Sequence, residues 1–220
     1  MSIKGMTRVL TIALFLLLIM VARSLLLHDY SHESRPRKIP EQSKVATPMP
    51  LLEYVQETML LCGATGTPAK SLALAQQITD TVGHVTSNRQ RQEYLVGMIC
   101  IESAFNPEVR ASLAGAIGIT QIMPKLFPYF AKGCGYPNVT PADIHYSPLN
   151  LRVGTCYLNQ LLDKYSGNFV LALAEYNGGS RVAARISKLH SINTETANYV
   201  AKFSALTELM RNTTSNRETK

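Results

Sequence analysis

No segment of this chain repeats at a fixed period, and its 13 glycines and 11 prolines in 220 residues are ordinary in number. Solenoid and collagen-like architectures are thereby excluded. Basic residues do not gather into a stripe. Residues 1–50 hold seven of the 22 Lys and Arg against three of the 15 Asp and Glu, so most of the formal charge of +7 sits near the N-terminus. A nucleic-acid footprint needs clustered cations, so no nucleic-acid partner is implied. The mild excess that remains suits an anionic polymer or plain solubility. No C-x-x-C spacing occurs among Cys62, Cys100, Cys134 and Cys156, which argues against zinc. His84, His145 and His190 fall near turns without ligand spacing, and neither metal nor cofactor is expected. No stretch alternates apolar and polar residues as a half-buried strand does, so the expected class is mainly α.

What is present starts with Lys4 and Arg8 ahead of Val9 to Ala22, an unbroken apolar run followed by Arg23 and Leu25 to Leu27. A basic start before such a run is the pattern of a secretory signal or an uncleaved anchor, so residues 1–27 are read as a signal peptide or membrane anchor. Residues 28–50 are polar and proline-bearing and form a linker. From Leu51 to Arg211 the apolar spacing is helical and defines one domain, and residues 212–220 form a polar, flexible tail. Thr67 and Pro68 open one helix, Ser87 another, Ser147 and Pro148 a third, and Asn193 or Thr194 the last, which the pattern carries to about Met210.

The stretch from Leu95 to Pro124, LVGMICIESAFNPEVRASLAGAIGITQIMP, places a single acid, Glu102, at the end of an apolar helix. Asn106 precedes Pro107, so that helix is over by about Phe105. Removing a carboxylate from water favours its protonated form, and a carboxyl so placed can hold a proton near neutral pH and donate it to a leaving oxygen. The alternative is a helix-terminal Glu turned to solvent.

Four pieces then fall in order: Glu102 with Ser103; Gly118-Ile119-Thr120-Gln121 with Pro124; Asn150-Leu151-Arg152-Val153-Gly154 with Tyr157; and Ala174-Glu175-Tyr176-Asn177-Gly178-Gly179. A fifth, Glu195-Thr196 with Tyr199-Val200, closes the series. From about Tyr94 to Phe203 this combination resembles the signature of the soluble-type lytic transglycosylases. The resemblance implies a lysozyme-like fold and a peptidoglycan-cleaving enzyme of the periplasm or cell envelope. Glu102 matches that family's acid/base, which cleaves the bond between N-acetylmuramic acid and N-acetylglucosamine and closes a 1,6-anhydro ring without consuming water.

The same matching implies substrate-side roles for Ser103, Gln121, Tyr176, Asn177 and Tyr199, with the Tyr176 hydroxyl orienting the acid. Ser103 and Tyr199 also admit purely structural roles. Gly115 and Gly118 would let the backbone approach a ligand, or serve plain turns. Two departures stand out. Thr120 occupies a position where the family commonly has a Met packed on the sugar, and Glu175 adds an acid that would ordinarily sit on the outer face of its helix. The rivals are a hydrolytic muramidase, with Glu175 or Asp143 positioning water, and a non-catalytic glycan-binding subunit. Expected partners are peptidoglycan strands, the inner membrane if residues 1–27 are retained, and a secretion, conjugation or phage-entry assembly. In an exported chain the four cysteines can form two disulfides; three pairings are open, and local order favours Cys62 with Cys100 and Cys134 with Cys156.

Overall fold

A computed structural model describes residues 49–110, 115–189 and 194–218. The expected signal or anchor segment, nearly all of the linker and His190 lie outside the described residues. Among those described, no helix is long and apolar enough to cross a membrane. The elements are α1 (Leu51–Leu61), α2 (Pro68–Val85), α3 (Arg89–Ser103), α4 (Phe127–Gly133), a 3-10 turn (Pro141–His145), α5 (Ser147–Lys164), α6 (Phe169–Gly178), α7 (Ser180–Leu189) and α8 (Thr194–Glu218). Extended pairing among the described residues is confined to two isolated bridges, Arg110 with Ile117 and Ile117 with Ile122. The mainly α class stands.

Side-chain caps set several helix starts by satisfying backbone N–H groups that have no partner within the helix. The Thr67 hydroxyl accepts from the Lys70 N–H, and Pro68 fills the first turn. Asn88, one residue later than the expected Ser87, accepts from the Arg91 N–H at 3.0 Å. Asn168 accepts from the Leu171 N–H at 3.2 Å. Helix α4 goes unseen in the sequence pattern because it has only seven residues and carries Pro128, yet a proline in the first turn costs no helical hydrogen bond. Helix α8 continues past Arg211 to Glu218, a correction to the expected end near Met210; no Gly or Pro occurs after Gly179 to stop it.

Helix α3 runs through the middle of the domain and touches α1, α2, α5 and α8. Leu95, Val96, Gly97, Met98 and Ile99 are buried in succession, the mark of a helix enclosed on all sides. Each of the large side chains among them contributes roughly 1.5–3 kcal/mol by leaving water. Gly97 is a point of close approach to α8: a Cβ there would lie 2.4 Å from the Phe203 ring. Phe203 in turn meets Tyr94 and Phe169, at ring separations of 5.9 and 4.1 Å. This contact fixes the position of α8 along α3. A smaller cluster of Ile122, Phe127, Ala131, Ile144 and Val153 joins α4, the 3-10 turn and α5.

Two disulfides pair as local order favours. Cys62–Cys100 ties the end of α1 to α3, and Cys134–Cys156 ties the end of α4 to α5, with Cα separations of 5.9 and 6.0 Å. Closing loops of 38 and 22 residues removes enough unfolded-chain entropy to be worth roughly 3–4 kcal/mol each.

Candidate active site

Glu102 stands in the last turn of α3, where the chain reverses through two non-glycine residues in the left-handed region, Ala104 (φ 49°) and Phe105 (φ 64°). Such residues cost about 1–3 kcal/mol each and persist only where the surroundings hold them. Here the Phe105 side chain is sunk into the core and Asn106 N–H donates to Ser103 O at 3.0 Å. The sharp reversal ends the helix one residue after Glu102 and leaves its carboxyl partly buried at the helix end. Burial raises its pKa from 4.5 to about 7, against the smaller lowering effect of a hydrogen bond from Tyr199. The carbonyl end of α3 opposes negative charge there as well.

The hydroxyl that orients this carboxyl belongs to Tyr199, which donates to Glu102 Oε1 at 2.5 Å. The role expected for Tyr176 is corrected accordingly: its hydroxyl donates to the Thr120 carbonyl at 2.8 Å. The exchange follows from packing. Tyr199 lies one turn before Phe203 on α8, so the Gly97–Phe203 contact sets its height over Glu102. Burial raises both phenols well above the usual tyrosine range, and the negative charge of Glu102 adds to that. Both therefore stay protonated donors at neutral pH.

The loop around Gly118 to Ile122 is held from three helices. Ser103 Oγ donates to Ile119 O at 2.8 Å, with Ile99 O at 3.1 Å, so Ser103 is a buried strut between α3 and the loop. Tyr176 holds the loop from α6. From α5, the buried Asn150 accepts at Oδ1 from the Thr120 N–H (3.1 Å) and hydroxyl (2.7 Å), and its Nδ2 donates to Ile117 O (3.0 Å) and Ile144 O (3.3 Å). Gly118 (φ 82°) and Gly154 make room for this clamp: a Cβ at 118 would lie 2.6 Å from Asn150 Nδ2, and one at 154 would lie 2.4 Å from Thr120. Thr120 is fully buried against α5, so a side chain at this position packs on the scaffold and not on a sugar, contrary to the expectation. Gln121 sits at φ 49°, partly exposed, with Nε2 donating to Val109 O (3.0 Å) and Gly118 O (2.8 Å).

Asn177 is exposed at the end of α6, beside Tyr176 in sequence and without a hydrogen-bonded role in the clamp. Glu175 is not on an outer face. It is almost wholly buried, and its carboxylate accepts from Lys164 at 2.6 and 2.8 Å and from the Tyr165 hydroxyl. Asp143 is fully exposed and accepts from the Thr140 N–H and hydroxyl at 2.7 Å, capping the 3-10 turn, which holds its pKa below the usual value. Both carboxylates considered as partners for Glu102 are thus engaged elsewhere. Among the described residues, no three His, Cys, Asp or Glu side chains gather as a metal site. Asn150 and Gly154 are the site residues that the sequence left without a role; their signal was their place in the Asn150-Leu151-Arg152-Val153-Gly154 piece of the series, where they stand i, i+4 on one helix.

The family described as Transglycosylase SLT domain matches residues 84–198, just over half of the chain and the span that holds every residue of this site except Tyr199. The soluble lytic murein transglycosylase of Salmonella typhimurium is 33% identical over 89 residues, which are 40% of this chain and 14% of that protein. The chain thus covers about one seventh of the length of that relative. Among solved structures, the 70 kDa soluble lytic transglycosylase of Escherichia coli superposes with a TM-score of 0.55 at 23% identity, covering 74% of this chain and 30% of the other. An inactive mutant of the lytic transglycosylase Slt of Pseudomonas aeruginosa gives 0.52 at 23% identity, covering 62% and 24%. The helical domain shares their fold, the lysozyme-like one.

Proposed function

The chain belongs to the Transglycosylase SLT domain family, and from that premise we propose that it is a lytic transglycosylase that cleaves the bond between N-acetylmuramic acid and N-acetylglucosamine in peptidoglycan. The observation that carries this is a single half-buried carboxyl with a pKa near 7, held by one tyrosine, with Glu175 and Asp143 both committed to other partners. The Slt structure that shares the fold carries a glutamate-to-glutamine change and is described as inactive, which supports the same assignment.

In this mechanism Tyr199 occupies Oε1 of Glu102 and leaves Oε2 to carry the proton. Glu102 donates that proton to the glycosidic oxygen as the C1–O bond breaks. The resulting carboxylate then accepts the proton of the muramic acid C6 hydroxyl, whose oxygen bonds to C1 and closes the anhydro ring. Glu102 returns to its starting form and no water is consumed. The nucleophile belongs to the sugar itself, so proximity replaces a second protein carboxylate. Gln121, on the loop clamped by Ser103, Asn150 and Tyr176, and Asn177 on its exposed turn supply polar contacts to the glycan.

The location proposed is the periplasm or cell envelope, where murein lies. Two disulfides accord with an oxidising compartment, and the basic-then-apolar N-terminus with export or anchoring. Mass spectrometry of fragments released from purified sacculi tests the reaction type: anhydro-muramyl ends, lighter by one water, are expected, and reducing ends would mark a hydrolase instead.

Tyr199→Phe removes the hydroxyl while keeping the ring in place. Without that donor the Glu102 carboxylate is less stabilised and its pKa rises further. The acid must be protonated to act, so the alkaline limb of the pH–rate profile moves to higher pH. The maximal rate falls by roughly tenfold as the carboxyl loses its fixed orientation. A pH–rate series on sacculi measures both changes.

A further inference from the structure

A hollow of about 620 Å³ lies between α4, α5 and α6. It is walled in part by Tyr129, Phe130, Tyr157, Gln160, Lys164 and Glu175. Aromatic contacts link it to the acid site: the Tyr176 ring is 5.6 Å from that of Tyr157, which stacks at 3.8 Å on Phe130. Its size falls within the range of small-molecule sites, roughly 300–1000 Å³.

Two features of the wall are not accounted for by folding. Tyr129 is 76% exposed, and its ring meets Phe130 only in an edge contact at 5.7 Å. Glu175 is the one charged residue on α6, an otherwise apolar helix, and its carboxylate is nine-tenths buried. A buried ion pair is often no more stabilising than well-packed apolar residues, so packing alone gives little reason for it. Lys164 stays half exposed while bound to Glu175. Gln160 is anchored through Nε2 to Gly133 O at 2.8 Å, which leaves its carbonyl oxygen as an acceptor.

We propose that this hollow is a saccharide-binding site for an N-acetylated glycan chain. The proposal rests on the functional reading above. A pyranose ring has one face of C–H groups and a rim of hydroxyl and acetamido groups. The open Tyr129 ring suits the first, and Gln160, Lys164 and Glu175 offer donors and acceptors to the second. A neutral sugar fits better than an acidic stem peptide, because Lys164 is already matched by Glu175 and only Lys132 adds charge to the lining.

The test uses the full chain carrying Glu102→Gln, titrated with tetra-N-acetylchitotetraose and followed by calorimetry and by amide NMR. Binding should shift the resonances of Tyr129, Gln160 and Glu175. Adding Tyr129→Ala should weaken it by about fivefold or more, the worth of one ring contact, whereas Tyr129→Phe should retain it. Tyr129 is largely exposed, so neither change threatens the fold. Sugar binding that Tyr129→Ala leaves unaltered, shifts that never reach the hollow, or occupancy by a sugar-free stem peptide in place of the saccharide would each overturn the proposal. A complete failure to bind the sugar would do the same. Murein cleavage by the unmodified chain decides the functional reading separately.

Discussion

Glu102→Gln yields a folded protein that cleaves murein at least about a thousandfold more slowly than the parent and is more resistant to unfolding at pH 8. The loss of rate follows from the double use of one group. Gln can neither protonate the glycosidic oxygen nor take the C6 hydroxyl proton, and each positioned proton transfer is worth roughly 10²–10⁴ in rate. The gain in stability follows from linkage. Burial raises the folded pKa of Glu102 to about 7 from 4.5. Below pH 4.5 the carboxyl is protonated whether the chain is folded or not, and its burial carries no charge penalty. Between pH 4.5 and 7 the unfolded chain releases this proton first, so the folded state loses ground as pH rises. Above pH 7 the full cost is present, roughly 3–4 kcal/mol. The amide never ionises and escapes it. Thermal unfolding of the two proteins at pH 4 and pH 8, beside release of soluble muropeptides, measures both parts. Equal stability at pH 8 would mean that Glu102 is solvated, and retained activity would remove it as the acid.

Asn150→Ala lowers stability by roughly 3–5 kcal/mol and loosens the loop that carries Gln121. Four hydrogen bonds end on this buried amide, to Thr120 N–H and hydroxyl and to the carbonyls of Ile117 and Ile144. Truncation leaves these groups short of partners in the interior, and each such group costs about 1–3 kcal/mol, partly relieved where water enters. The Gly118 and Gly154 positions have no side chains to fall into the space. Urea unfolding at pH 7 gives the stability change, and murein-release rates well below the midpoint report the loosened loop. A change under about 1 kcal/mol would show that the clamp is not needed to hold the loop.

How far this was visible beforehand can be traced through particular residues. A lone acid in the apolar run of α3 marked Glu102 because burying a charge is costly, and that cost is what gives the carboxyl its raised pKa. The helical class followed from spacing along the chain, whereas local order only favoured the observed pairs among three open disulfide pairings. Exchange of the Tyr176 and Tyr199 roles was not legible, because it depends on the distant pairing of Gly97 with Phe203, which no local pattern encodes. Thr120 was expected to face the glycan, yet the missing side chain at Gly154 opens space on α5 and draws it inward. Glu175 read as an outer-face residue because its partner, Lys164, lies on a different helix. Helix α4 was hidden by Pro128 and by its shortness.

The most direct test of the account is the titration of the Glu102 side-chain carboxyl, followed by carbon-13 NMR in glutamate-labelled protein with Glu102→Gln used to assign the signal. A midpoint of about 7 is predicted, rising further in Tyr199→Phe. A midpoint near the ordinary 4.5, unmoved by that substitution, would contradict it, since such a carboxyl would have shed its proton before reaching neutral pH and would have none to give the sugar.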